Sequence, residues 1–195
     1  MEQLKRRMLE FFSTLWPAEE KRLVFGEGKS DGPRLMLIGE APGEQETLQG
    51  RPFVGKAGKN LDAFLDVVGL ARQEIWISNV VKVRPTKISA KGRASNRPPN
   101  AEELALFTPY LYEEIGLVRP GVIVTLGNVA LQAMLGPKEV IGAHHGVLTE
   151  ALVSGRPVRV FPLYHPASVI YNRALAPVYQ QDLLALRQLL DDRVI

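Results

Sequence analysis

The feature that most constrains this sequence is a short apolar run at residues 35–38. It ends abruptly in the turn Gly39-Glu40-Ala41-Pro42-Gly43. Four consecutive apolar residues bounded by glycine and proline are typical of a strand that is buried on both faces. Folds built from such strands place their ligands just beyond the carboxyl ends of the strands. The turn therefore puts an acid, Glu40, where a ligand site is expected.

Helical and strand patterns alternate along the rest of the chain. Apolar residues recur at helical spacing over residues 2–15, 60–68, 100–117, 128–135 and 177–191. Runs typical of strands occupy residues 34–39, 75–81 and 121–127, and residues 147–152 and 158–163 predict a hairpin. This alternation predicts a single domain over residues 1–195. Its fold class is α/β, a three-layer α/β/α sandwich with a central, mainly parallel four-stranded sheet.

Composition narrows the class of protein. With 195 residues, of which 46% are hydrophobic and 23% charged, the chain can bury a substantial core. No apolar run approaches the roughly 18 residues of a membrane helix, and the N-terminus lacks a signal-peptide pattern. We therefore expect a cytoplasmic monomer without membrane contact. The sequence contains no cysteine, which excludes disulfides, zinc–thiolate sites and iron–sulfur clusters. No acids and histidines have metal-ligand spacing, so we expect no metal and no cofactor.

One segment, residues 82–97, contains six cations and no acid. Proline, serine, glycine and asparagine in the same segment predict an exposed, mobile loop that leaves the end of a strand. Such a loop is either an ordinary solvated surface or a contact for the phosphate backbone of a nucleic acid. The cations proposed for phosphate contact are Lys82, Arg84, Lys87, Lys91 and Arg93.

Several chemically distinct side chains are predicted to meet at one edge of the sheet. Loops that follow parallel strands share that edge, which brings together Glu40, Phe53, Asn79 and His165. Three of them have a structural alternative: Phe53 as a core aromatic, Asn79 as a turn-capping amide and His165 as a structural histidine. The adjacent His144 and His145, in a glycine-flanked loop, are rivals for the role of functional histidine.

Four motifs resemble those of the family 4 uracil-DNA glycosylases of bacteria and archaea. They are Gly39-Glu40-Ala41-Pro42-Gly43, Gly50-Arg51-Pro52-Phe53-Val54-Gly55, Asn79-Val80-Val81-Lys82 and His165-Pro166. The resemblance is ordered and covers residues 24–190, nearly the whole chain. It implies the same α/β/α sandwich and an enzyme that removes uracil from DNA by cleaving the N-glycosidic bond.

The resemblance, together with base-flipping chemistry, implies a role for each site residue. Phe53 stacks on the flipped uracil, Asn79 reads its edge, and Ala41 and Gly43 line the pocket. His165 stabilises the anion on uracil O2. Glu40 either stabilises the charge that develops on the sugar or activates water. The segment after His165 enters the minor groove through Ser168, Val169, Arg173 and the apolar Ile170 and Tyr171. A short helix that covers the core is the alternative for this segment.

Two departures from the family pattern stand out. Family 4 members usually carry a [4Fe–4S] cluster on four cysteines. Here the third and fourth ligand positions fall at Val83 and Phe107, and the first two fall near residues 11–16. Apolar residues at these positions predict that the cluster site has become core. The second departure is Glu46-Thr47, where the family commonly has Glu-Asp, and it predicts altered local hydrogen bonding.

The sequence thus predicts a monofunctional glycosylase of base excision repair that acts on uracil-containing DNA and leaves an abasic site. One alternative is a glycosylase of broader specificity that acts on hypoxanthine or xanthine. Another is a non-catalytic protein that binds damaged DNA. A nucleotide-binding α/β protein is disfavoured, because no Gly-x-x-x-x-Gly-Lys-Ser/Thr loop follows any strand.

Overall fold

The computed structural model describes residues 1–16 and 21–192, and its main element is one six-stranded sheet. The strands, in chain order, are β1 (Glu27–Gly28), β2 (Leu35–Gly39), β3 (Trp76–Asn79), β6 (Val122–Leu126), β7 (Thr149–Val153) and β8 (Arg156–Leu163). Their order across the sheet is β1-β3-β2-β6-β8-β7. Strands β3, β2, β6 and β8 are parallel, whereas β1 and β7 are antiparallel edge strands.

Helices cover both faces of this sheet. The longer helices are α1 (Glu2–Leu15), α3 (Lys56–Val68), α4 (Ala101–Val118), α5 (Asn128–Leu135) and α8 (Ala176–Asp191). Short helices are α2 (Glu44–Gln49), α6 (Ile141–His144) and α7 (Pro166–Tyr171). A separate two-stranded hairpin joins β4 (Thr86–Ile88) to β5 (Ala94–Asn96).

Alternation along the strands explains why both faces need cover. In β2, Met36 and Ile38 face a core built with α1, α4 and α5, whereas Leu35 and Leu37 face a second core built with α3 and α8. Successive side chains of a strand point to opposite faces, so an unbroken apolar run requires helices on both sides. The predicted three-layer sandwich is confirmed, with α1, α4 and α5 in one layer and α3 and α8 in the other.

The sheet differs from the prediction at its edges. The prediction of four strands fits only the parallel centre, because the antiparallel strands β1 and β7 extend it to six. The two residues of β1 lie in a glycine-rich stretch and pair only with Trp76 and Ile77. The predicted 147–163 hairpin is confirmed as β7–β8, with its turn at Ser154 and Gly155. No helix in the described part of the chain is long and apolar enough to cross a membrane.

Aromatic residues fill the core between α1 and α4. The rings of Phe12 and Phe107 stack with centroids 4.5 Å apart and planes 7° from parallel. Trp16 stacks on Phe12 at 5.2 Å, and Val83 is fully buried in the same core. Offset-stacked rings at such distances add to the stabilisation from apolar burial alone. Apolar packing therefore stabilises the contact between α1 and α4.

Candidate active site

A cleft of about 500 Å³ opens at the carboxyl edge of the parallel strands, next to the ends of β2, β3 and β8. Among the residues that line it are Ala41, Gly43, Phe53, Asn79 and His165. The five were predicted from the sequence to form one site, and the fold brings them together. Other surface clefts in the described chain, of about 590 and 560 Å³, flank helix α4 and contain none of them.

Phe53 is held in an unusual backbone conformation. Its φ of 52° lies in the left-handed region, which is uncommon for a residue other than glycine. The Arg72 guanidinium donates a hydrogen bond to the Phe53 carbonyl oxygen. Gly58 lies so close that a Cβ there would stand 2.0 Å from the same oxygen. The ring is 5% exposed and covers Gly39, where a Cβ would be 2.5 Å from it. The surrounding contacts therefore fix the ring in place.

Glu46, a buried carboxylate, ties together the two glycine loops. It accepts hydrogen bonds from the backbone N–H groups of Gly43 at 3.1 Å, Val54 at 3.0 Å and Gly55 at 2.7 Å. Beside it, the Thr47 hydroxyl donates to the Gly43 carbonyl oxygen at 2.8 Å. An ionised aspartate could only accept at that position. Thr47 thus supplies a donor that an ionised aspartate would lack, and Glu46 is a site-building residue that the sequence did not identify.

Asn79 ends strand β3 opposite Gly39 of β2. It is 3% exposed, and its side chain lines the cleft. A Cβ on Gly39 would lie 2.5 Å from its Oδ1 atom, so only glycine fits beside this amide. Within the described chain, the structure shows no hydrogen-bond partner for the side-chain amide. One donor group and one acceptor group are therefore available to a ligand.

His165 caps the start of α7 with its side chain. Its Nδ1 atom accepts a hydrogen bond from the Ala167 backbone N–H at 3.1 Å. Burial lowers the pKa of the imidazole below its ordinary value, which favours the neutral ring at pH 7. Because Nδ1 is an acceptor, the proton of the neutral ring resides on Nε2. The ring centroid lies 6.4 Å from that of Phe53, so His165 provides an N–H donor beside the aromatic ring.

Glu40 lies at the end of β2, directly before Ala41. It is partly buried, and this burial raises the pKa of its carboxyl group above the ordinary value of 4.5. It is not among the described residues that line the 500 Å³ cleft. The structure therefore places the predicted acid next to the cleft wall, with a desolvated carboxyl group.

The prediction that Lys82 contacts DNA is wrong for this structure. Lys82 is only 1% exposed, and its ammonium group pairs with Glu114 at 2.5 Å inside the protein. The Arg84 guanidinium also has partners within the protein. It donates hydrogen bonds to Asn96 at 2.7 Å and to Glu44 at 3.2 Å. Lys87, Lys91 and Arg93 are exposed on the β4–β5 hairpin. The segment predicted as an exposed, mobile loop therefore forms a β-hairpin, on which three cations are exposed.

The segment after His165 forms the short helix α7. Ser168 and Arg173 are exposed, Val169 is half-buried, and the apolar Ile170 and Tyr171 are 54% and 89% exposed. The structural alternative predicted a helix that covers the core. The helix is present and buries Pro166, but its larger apolar side chains, Ile170 and Tyr171, face solvent beside the cleft.

Asn96 lines the cleft and was missed by sequence reasoning, which considered only the cations of its segment. The only signal in the sequence was an amide at the end of that basic stretch. The rival histidines have partners of their own. His144 pairs with Glu139 at 2.5 Å, and His145 pairs with Asp182 at 2.8 Å.

The arrangement described so far defines a class: α/β proteins with a ligand cleft at the carboxyl edge of a parallel sheet. A profile described as the uracil DNA glycosylase superfamily matches residues 25–187. The chain belongs to this superfamily, on the branch of the type-4 uracil-DNA glycosylases. The protein of that name from Saccharolobus solfataricus is 37% identical over 180 residues, which cover 90% of this chain and 79% of the relative.

Two further comparisons agree with this assignment. The type-4 uracil-DNA glycosylase of Pyrobaculum aerophilum is 38% identical over 167 residues, covering 84% of this chain and 81% of the relative. Among solved structures, the crystal structure of Pedobacter heparinus SMUG2 matches 83% of this chain and 77% of its own chain. Its TM-score is 0.56 at 17% identity. That structural likeness supports the fold.

The residues present do not fit the iron–sulfur cluster that the family implies. Thiolates hold such clusters, and this sequence contains no cysteine. Val83 and Phe107, at two of the expected ligand positions, are fully buried, and Phe107 stacks on Phe12. The described residues also contain no group of three or more acids and histidines suited to a metal ion. The predicted conversion of these two positions to core is confirmed.

Proposed function

We propose that this protein is a monofunctional uracil-DNA glycosylase of base excision repair. It flips uracil out of DNA and hydrolyses the bond between C1′ of the sugar and N1 of the base. The observation that carries the proposal is geometric: His165, whose Nδ1 accepts from the Ala167 N–H, shares one cleft with Phe53 and Asn79. We include in this proposal a single-domain, cytoplasmic monomer that needs no metal or cofactor.

Recognition follows from the two residues that flank His165 in the cleft. The fixed Phe53 ring offers a stacking face, which any base can use. Asn79 adds selectivity, because its amide can donate to uracil O4 and accept from the N3–H group. Cytosine presents the opposite pattern at these two atoms, so it would leave both groups unsatisfied. The proposed preference for uracil therefore rests on Asn79.

Bond cleavage requires stabilisation of two charges. As the C1′–N1 bond breaks, its electron pair leaves with the base, and negative charge accumulates on uracil O2. The Nε2–H of His165 donates to that oxygen. Positive charge develops on the sugar, and the carboxylate of Glu40 either stabilises it or accepts a proton from the attacking water. The oxygen of that water then bonds to C1′, which leaves an abasic site. The proton of the water passes to Glu40 or, where Glu40 only stabilises the charge, to the released uracil anion.

Release of each base under single-turnover conditions tests this function. Matched oligonucleotides with one uracil, hypoxanthine or xanthine are incubated with excess enzyme, with and without alkali afterwards. We expect uracil release alone, and strand cleavage only after alkali, because no lysine nucleophile is proposed. Release of a purine alone would instead favour the glycosylase of broader specificity. DNA binding without release of any base would favour the non-catalytic binding protein.

DNA binding is assigned to the hairpin and to α7. We expect simultaneous Lys87→Ala, Lys91→Ala and Arg93→Ala changes to weaken duplex binding and to lower its salt dependence. Each lost phosphate contact reduces the slope of log K against log salt by about 0.9, so the slope should fall by roughly 2–3. Fluorescence anisotropy from 50 to 200 mM salt measures it. The matched control removes three exposed cations outside the hairpin, Arg6, Lys29 and Lys138. An equal loss there would refute this assignment.

A further inference from the structure

Lys82 is buried beneath the cleft, and all three of its ammonium protons are used. Its Nζ atom lies 2.6 Å from Ser78 Oγ, 2.7 Å from the main-chain oxygen of Asn79 and 2.5 Å from Glu114 Oε2. A buried lysine without such partners would be costly. Full pairing explains how the charge is tolerated, but it leaves open what this costly arrangement contributes.

Glu114 extends the network across the sheet-facing side of α4. Its Oε1 atom accepts a hydrogen bond from Trp76 Nε1 at 2.9 Å, and its carboxylate lies 3.0 Å from Ser78 Oγ. Trp76 and Ser78 are two residues apart on β3, so their side chains share one face. Asn79, the next residue, points to the other side, where the cleft lies. The network therefore lies behind Asn79 and reaches it only through the main chain.

Within the described residues, the main chain at Asn79 has no strand partner on its outer side. Edge strand β1 pairs with Trp76 and Ile77 and does not extend to Asn79. On the inner side, the backbone N–H of Val80 donates to the Gly39 carbonyl oxygen at 2.9 Å. The carbonyl oxygen of Asn79 instead receives its hydrogen bond from Lys82. The lysine thus takes the place of a missing strand at the residue whose side chain lines the cleft.

We infer that Lys82, held by Glu114, is a positioning residue that fixes the Asn79 peptide and thereby directs the Asn79 amide toward the base. This inference rests on the proposed function. Without Lys82, the peptide between Asn79 and Val80 would be held only by the Val80 N–H bond to Gly39, so it could tilt and move the amide relative to the base edge. Displacements of about 1 Å at a reacting site can cost 10²-fold in rate. In some proteins, buried ionic groups specify one geometry, and this role offsets the free-energy cost of their desolvation.

The test is a double-mutant cycle with Asn79. Lys82→Met and Glu114→Gln are combined, because removal of one charge would leave the other buried and unpaired. In the Asn79 background, we expect a 10- to 100-fold loss in the single-turnover rate of uracil release. In the Asn79→Ala background, the same pair of changes should alter the rate by less than twofold, because the amide to be positioned is gone.

Two companion variants separate positioning from folding. Trp76→Phe removes the outer hydrogen bond to Glu114 but keeps the one from Lys82 to Asn79, so it should release uracil at the wild-type rate. Lys82→Gln with Glu114→Gln keeps polar groups at both positions. It should fold even where Lys82→Met with Glu114→Gln does not. It should also lose less activity, because the side-chain amide introduced by Lys82→Gln can still donate to the Asn79 carbonyl oxygen.

The outcomes separate this inference from the proposed function. Equal losses in both Asn79 backgrounds, or no loss in either, would overturn the inference and leave the glycosylase intact. Two results would overturn both the proposed recognition of uracil by Asn79 and the inference. One is a wild-type protein that releases no uracil, and the other is an Asn79→Ala variant with the wild-type rate. A loss confined to the Asn79 background supports both.

Discussion

His165→Ala is expected to lower the single-turnover rate of uracil release by about 10²- to 10³-fold. This is the loss typical when one hydrogen-bond donor to a developing oxyanion is removed. In the protein, the ring is aligned through Nδ1 by the Ala167 N–H, which leaves Nε2–H for the base. Quenched-flow release from a uracil oligonucleotide, with the enzyme at saturation, measures the loss.

The control for this variant is His144→Ala. His144 is a half-buried histidine that pairs with Glu139 and does not line the cleft, so its removal should change the rate by less than twofold. Affinity for DNA without uracil should be equal for wild type and His165→Ala. A His165→Ala variant that retains more than a tenth of the wild-type rate would show that uracil leaves without help from this imidazole.

Glu40→Gln is expected to lower the same rate by about 10²- to 10⁴-fold, the range typical of a catalytic acid or base. The pH profile gives a second readout. Because burial raises the pKa of Glu40 above 4.5, its carboxylate is lost as the pH falls through that raised value. The wild-type rate should therefore decline on the acid side at a pH higher than an exposed glutamate would give.

The Glu40→Gln variant should lack this decline. Any remaining acid-side change belongs to His165, whose pKa is lowered by burial, so it should lie below pH 6.5. Profiles of the single-turnover rate between pH 4 and 9 distinguish the two groups. Glu102→Gln, at an exposed carboxylate in the first turn of α4, is the matched control. If the decline in rate on the acid side persists unchanged in Glu40→Gln, the titration belongs to another group.

The parallel centre of the sheet and the convergence of the site were predictable because each rests on a local pattern. The buried strands β2 and β6 are continuous apolar runs, and such runs fit few structures. Once the strands are parallel, the loops after them share an edge. The convergence of Phe53, Asn79 and His165 can therefore be predicted from the parallel strands alone. Neither β1, with two residues, nor the polar β4–β5 hairpin carries such a pattern.

The errors and omissions concern contacts that form only in the folded chain. Lys82 belongs to a basic run, but its partner Glu114 lies 32 residues further along, on helix α4. Only the folded chain shows that this charge is internal. Glu46 was overlooked although its three backbone donors lie within nine residues of it, because these hydrogen bonds form only when the two glycine loops pack together. The tautomer of His165 also depends on a backbone contact that forms with the fold.

The left-handed backbone of Phe53 has a consequence for the stability of this protein. A strained φ costs free energy of order 1–3 kcal/mol, and the chain loses that amount when it folds, before any base arrives. Glycine at position 53 would relieve the strain but remove the ring. Loss of a ring that is 5% exposed and packed in the core would itself cost about 3–5 kcal/mol, which is more than the strain. The buried aromatic surface therefore offsets the strained backbone, and a change to glycine at this position is expected to lower the free energy of unfolding.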